Sequence, residues 1–227
     1  MVSELAVDAE GWPALLDALI RLAAAGDDRL LEAVEAGPDP ATGGAFVVTE
    51  TAEGGTLAQP ENEPDFRSRV AAVEAAARAA HALHEAGLAH GAIHPGTILL
   101  TARGAVLDLP RVDAPPGEVV RIGGWSELVT VDPELLSGET PSRSSDIWAL
   151  GATLHSLLSD RPLFPGIEED EPVTAVQRIM FTRPEADPAL PGPLLELIRK
   201  CLAADPADRP RTALALAESL AGAGGTP

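Results

Sequence analysis

The sequence predicts an α+β fold that is mostly helical, with a small mixed portion ahead of a larger helical one. Hydrophobic residues make up 45% of the 227-residue chain, enough for a sizeable buried core. Much of that content is Ala and only 3% of the chain is aromatic, a palette that suits close-packed helices better than a β-sandwich. Strand-like runs are short and few, whereas helical periodicity dominates from residue 65 onward.

Residues 12 to 25, WPALLDALIRLAAA, place Leu15, Leu16, Leu19, Ile20 and Leu22 on one stripe and predict a helix that Gly26-Asp27-Asp28 ends. LLEAVEAG (30–37) and AFVVTE (45–50) are strand candidates separated by turn residues, and EGGT (53–56) reads as a flexible joint. An Ala-rich helix follows from Asp65, a natural N-cap, to Gly87, a natural stop. TILL (97–100) and AVLDL (105–109) are two short apolar pieces joined by a turn. Residues 113 to 131 look irregular, with Trp125 between the β-like pieces VVRI and ELVTV. Helices are expected near 144–159, 172–181, 190–203 and 211–221. The domain boundaries expected are a small lobe at 1–56, a large helical lobe at 57–221 and a flexible tail at 222–227.

The formal net charge is −19, from 35 acidic and 16 basic residues. That balance repels nucleic-acid phosphates and anionic lipid, so no nucleic acid is expected, and it favours basic protein partners. Cys201 is the only cysteine, so no intrachain disulfide can form. The first residues lack a signal peptide's basic start and apolar run, and no stretch reaches the ~18 apolar residues of a membrane span. A cytoplasmic location is the expectation.

Four ordered motifs carry a family resemblance. LHEAGLAHGAIHPGTILL (83–100) is similar to the helix and catalytic loop LHxxxIxHRDxKPxNILL of protein kinases. VDPELL (131–136) resembles their APE segment, and SDIWALGATLHSLLSDRPLFPG (145–166) resembles SDVWSLGxxLxELLxGxxPFxG. CLAADPADRPRTA (201–213) resembles CLxxDPxxRPTA. The resemblance implies a protein kinase-like fold of the eukaryotic Ser/Thr type, with a helical large lobe and a reduced small lobe lacking the first strands.

Phosphoryl transfer in that family needs a phosphate-covering loop, a Lys, metal ligands and a base for the attacking hydroxyl. No GxGxxG precedes Trp12, and the only Lys is Lys200. On the resemblance, Ala92 stands where the base aspartate belongs, His94 at the loop Lys and Thr97 at the metal-binding Asn. Counting without a gap from Gly104 puts Pro110 at the second metal position, with Asp108 two residues early. The family's structural residues correspond to His90, Glu134, Asp146, Trp148, Gly151 and Arg209, with Glu134 pairing Arg209 and Asp146 bracing the loop backbone at 90–91.

These substitutions lead to the expectation of a bacterial pseudokinase: catalytically inactive, with no cofactor and no metal, acting as a protein-binding scaffold or regulatory module. A kinase or a phosphopeptide-reading domain is the kind of protein partner expected, with Arg121, Trp125 and Glu127 as candidate contacts and the oligomeric state open. The alternative is an atypical nucleotide-binding enzyme using the residual cleft.

Overall fold

The computed structural model describes residues 2–5, 12–38, 45–59, 64–111 and 122–223. About half of the described residues are helical and the strands among them are few and short, in keeping with a mostly helical α+β fold. Strand β1 (Val2–Leu5) falls where the sequence suggested no element, and helix α1 (Trp12–Ala25) follows it. Strands β2 (Ala33–Pro38) and β3 (Ala45–Thr49) complete an antiparallel sheet of order β1-β3-β2, with Val2 opposite Val48 and Pro38 opposite Ala45. β2 starts later than expected because the chain just before it is used elsewhere. Leu31 N donates to Leu107 O at 2.8 Å, and Leu107 N donates to Arg29 O at 2.7 Å. These bonds fasten the small sheet's entry to the second, larger part of the molecule.

Helix α2 (Phe66–Glu85) is the centre of that part. The Asp65 carboxylate accepts from Ser68 N at 2.8 Å, which caps the first turn. Gly87, at φ +79°, lets Leu88 N reach back to Leu83 O and close the last turn. Val73, Ala77, Ala80 and Leu83 on α2 are fully buried, and the Ala side chains allow close approach of α5 (Arg143–Leu158) and α8 (Ala213–Ala223). Twelve of the 16 residues of α5 are buried, which is why that helix shows no one-sided apolar stripe.

Strands β4 (Ile98–Thr101) and β5 (Gly104–Leu107) form a hairpin against α2, with Ile98 opposite Leu107 and Thr101 opposite Gly104. A short helix α3 (Trp125–Leu128) replaces the β-like ELV expected there, because Val129 N and Val131 N bond back to Trp125 O and Glu127 O. Helices α4 (Pro133–Leu136), α6 (Pro172–Phe181) and α7 (Gly192–Cys201) complete the helical part. α8 runs to Ala223, into the segment expected to be a tail, and residues 224–227 lie outside the described residues. Among the described residues no helix is long and apolar enough to cross a membrane.

Candidate active site

The loop between α2 and β4 is held mainly by backbone donors. Asp146, buried on α5, accepts from His90 N at 2.7 Å and from Gly91 N at 2.9 Å. Its Oδ2 also accepts from His84 Nε2 at 2.8 Å, so the imidazole proton sits on Nε2. His84 is 1% exposed. The sixty-two residues separating it from Asp146 hide the pairing from any local pattern. His155 is equally buried and accepts from Asp187 N at 3.1 Å. Gly91 sits at φ +76°, and a side chain there would meet Pro141 at 3.0 Å. Here glycine is the residue the backbone conformation favours, where the resembled motif carries arginine.

His90 is fully buried, and its Nδ1 accepts from Ala92 N at 3.2 Å. The proton therefore lies on Nε2, which faces Asp108 O at 3.1 Å. Burial holds His90 below the usual imidazole pKa, against the opposing pull of Asp146 and Asp108. A neutral ring thus ties the loop to the segment after β5.

The hairpin register decides which residue after β5 stands beside the loop. Because Leu107 pairs with Ile98, the next residue stands beside Thr97, and Asp108 N donates to Thr97 O at 2.9 Å. The residue that faces the loop is therefore Asp108 and not Pro110, which is buried two positions further on. Asp108 Oδ1 accepts from Leu109 N at 2.7 Å, and Oδ2 carries no hydrogen bond among the described residues.

The remaining loop positions are committed inward. The Thr97 hydroxyl lies 3.0 Å from Ala92 O, His94 O and His94 N, so it closes a tight turn and offers little to a cation. Ala92 presents only a methyl group where a base would stand. His94 Nδ1 accepts from Gly96 N at 3.1 Å, which leaves the ring proton on Nε2 as a donor. Burial, together with His90 and Arg111 nearby, lowers His94 to about 4, so the ring is neutral at pH 7.

Among the framework residues, Arg209 does not pair with Glu134. Its Nη1 binds the Asp132 carboxylate and Ser144 O, its Nε donates to Ala203 O, and its guanidinium lies 5.0 Å from the centre of the Trp148 ring. Asp132 precedes Pro133, the first residue of α4, and points inward, whereas Glu134 is only half-buried. Gly151 on α5 permits contact with α7: a Cβ there would lie 2.3 Å from Cys201 Cβ. Cys201 is buried and its thiol is pushed up to about 12.

Of the candidate contacts, Arg121 lies outside the described residues. Glu127 is 4% exposed and binds Arg111 at 2.7 Å as well as Gly123 N. That internal role removes it from any partner surface. Trp125 is half-buried and packs against the core.

Mg²⁺ is commonly held by one or two carboxylates plus nucleotide phosphates. One carboxylate, Asp108 with a free Oδ2, meets the lower end of that requirement. Among the described residues no group of three His, Cys, Asp or Glu could hold a metal ion by itself. The site fits a cation that arrives with its phosphates.

Residues 30–220 match the protein kinase domain, so the chain belongs to the protein kinase family. It is 29% identical over 177 residues to the serine/threonine-protein kinase PknK of Mycobacterium bovis, covering 73% of this chain and 15% of that protein. It is 30% identical over 155 residues to the serine/threonine-protein kinase PknA of Mycobacterium tuberculosis, covering 66% of this chain and 35% of that protein. A probable cell division protein kinase of Encephalitozoon cuniculi is 33% identical over 133 residues, 54% of this chain and 50% of the relative. The chain thus spans half or less of each of these relatives.

These findings overturn the expectation of a catalytically inactive scaffold, and with it the pseudokinase reading and the exclusion of an enzyme. The relatives are named protein kinases, and the comparisons point to an enzyme.

Proposed function

We propose that this chain is a Ser/Thr protein kinase domain with a rewritten catalytic loop, a reduced small lobe at 1–56 and a low rate of phosphoryl transfer. One observation carries the reading: Asp108 is presented beside the loop, with its backbone fastened to His90 and Thr97 and one carboxylate oxygen open. Catalysis in this class rests on positioning and electrostatics more than on covalent chemistry. A general base contributes typically ~10²–10⁴-fold, so the methyl group of Ala92 slows the reaction without removing its other supports.

In this reading Asp108 would hold a nucleotide-borne Mg²⁺, which would neutralise the developing phosphate charge. His94 Nε2–H is a neutral donor at the position of the family's loop lysine. Among the described loop residues 90–97 no carboxylate is present to take the substrate hydroxyl's proton, which leaves to water. Asp146 and His84 keep the loop backbone fixed during the exchange. The names of the relatives support Ser or Thr as acceptor.

The test is transfer of the γ-phosphoryl group from labelled ATP, with Mg²⁺ or Mn²⁺, to a Ser/Thr peptide library. Transfer that disappears in Asp108→Asn supports the proposal. Transfer unaffected by that change, or none above a heat-treated control, overturns it.

A further inference from the structure

The failure of Glu134 to pair with Arg209 leaves a carboxylate without a cation. Glu134 lines an open groove of about 650 Å³ between α4, α6 and the end of α7. Its side chain makes no ion pair among the described residues, and burial together with the nearby Asp132 carboxylate raises its pKa. Arg209, which also borders the groove, is consumed by Asp132, and Arg199 is paired with Glu196 at 3.2 Å. Among the described residues that line the groove, that leaves the carboxylates of Glu134, Asp205 and Asp208 against one cation without an ion pair among them, Arg183. The excess is negative and local to the groove.

Two further features point to an occupant. Phe181, the last residue of α6, lines the groove and is 79% exposed, an unusual position for an aromatic ring in a chain so poor in them. Trp148 forms part of the same wall, is 3% exposed, and its indole N–H is buried without an acceptor among the described residues. Buried donors normally find partners. An apolar groove with a few convergent polar groups is the usual form of a recognition site.

We propose that this groove docks a basic peptide segment of a partner protein, with an Arg or Lys side chain meeting Glu134 and an adjacent apolar side chain covering Phe181. The occupant's charge follows from the uncompensated carboxylates, and its apolar neighbour from the exposed ring. The proposal is independent of phosphoryl transfer.

The experiment measures fluorescence anisotropy of a labelled peptide with a Leu-Arg-Arg-Leu centre in a Gly/Ser frame, titrated with the full chain at low salt. Saturable binding is expected, weakened about tenfold by Glu134→Gln and again by Phe181→Ala, the size of a hot-spot loss. A peptide with Glu in place of Arg should not bind. Neutralising Glu168, Glu169 and Asp170, an exposed acidic run outside the groove, should leave the affinity unchanged. Phe181 is exposed, so its replacement tests the site without threatening the fold. Equal binding by the groove variants, equal weakening by the control variant, or no saturable binding overturns the proposal. So does a Phe181-dependent dimer that excludes the peptide.

Discussion

The guanidinium of Arg209 and the carboxylate of Asp132 form an ion pair in which both side chains are 1% exposed. The pair joins the turn before α4 to the loop before α8, and Ser144 O and Ala203 O take further guanidinium protons. Removing one partner of a buried pair strands the other charge, so Arg209→Ala and Asp132→Ala should each cost about 3–5 kcal/mol in urea unfolding. Glu134→Ala should cost less than about 1 kcal/mol, as for a partly exposed charge. Equal losses at Asp132 and Glu134 would contradict the pairing.

Asp146→Ala removes the acceptor for two buried backbone N–H groups and for His84. Each buried polar group left unmatched costs about 1–3 kcal/mol. The expected signature is faster amide exchange at His90 and Gly91, with a lowered melting temperature. Unchanged protection at those two amides would mean the loop is held by something else.

Gly151→Ala drives a methyl group into Cys201, with a Cβ–Cβ separation of 2.3 Å before relaxation. Helices α5 and α7 must move apart, at a cost of about 1–3 kcal/mol or more. Calorimetry of the variant checks this, and a melting temperature equal to the parent's would show that the contact is looser.

Acid should weaken the fold before carboxylates protonate. His90, His94 and His155 are all lowered by burial, so they stay neutral in the folded chain while the unfolded chain binds protons below about pH 6.5. Stability from these groups is therefore complete above that pH and is lost as pH falls, for His94 down to about 4. The melting temperature should drop between pH 7 and pH 5, and His94→Gln should flatten part of the slope. A constant melting temperature over that range would contradict the neutral, buried assignments.

The helical lobe was readable because its signals are local. Asp65 as a cap, Gly87 as a stop and the spacing of Val73, Ala77 and Ala80 all act within a few residues of one another. The four motifs also located the loop and its brace at Asp146. What escaped depends on register or on distant packing. Asp108 reaches the site through the pairing of Ile98 with Leu107, which a gap-free count cannot see. Asp132 and Glu134 are two residues apart, and only the turn into α4 decides which faces Arg209. His84 is polar on a helix otherwise patterned for burial, and its partner lies on another helix. Glu127 likewise reads as a surface acid until Arg111 is brought to it.

The most direct test of the central claim is the initial rate of γ-phosphoryl transfer by the parent chain and by Asp108→Asn, measured side by side with Mg²⁺ at saturating ATP. A slow transfer in the parent that falls to background in Asp108→Asn is the result predicted. Equal rates in the two proteins, or background in both, would contradict it.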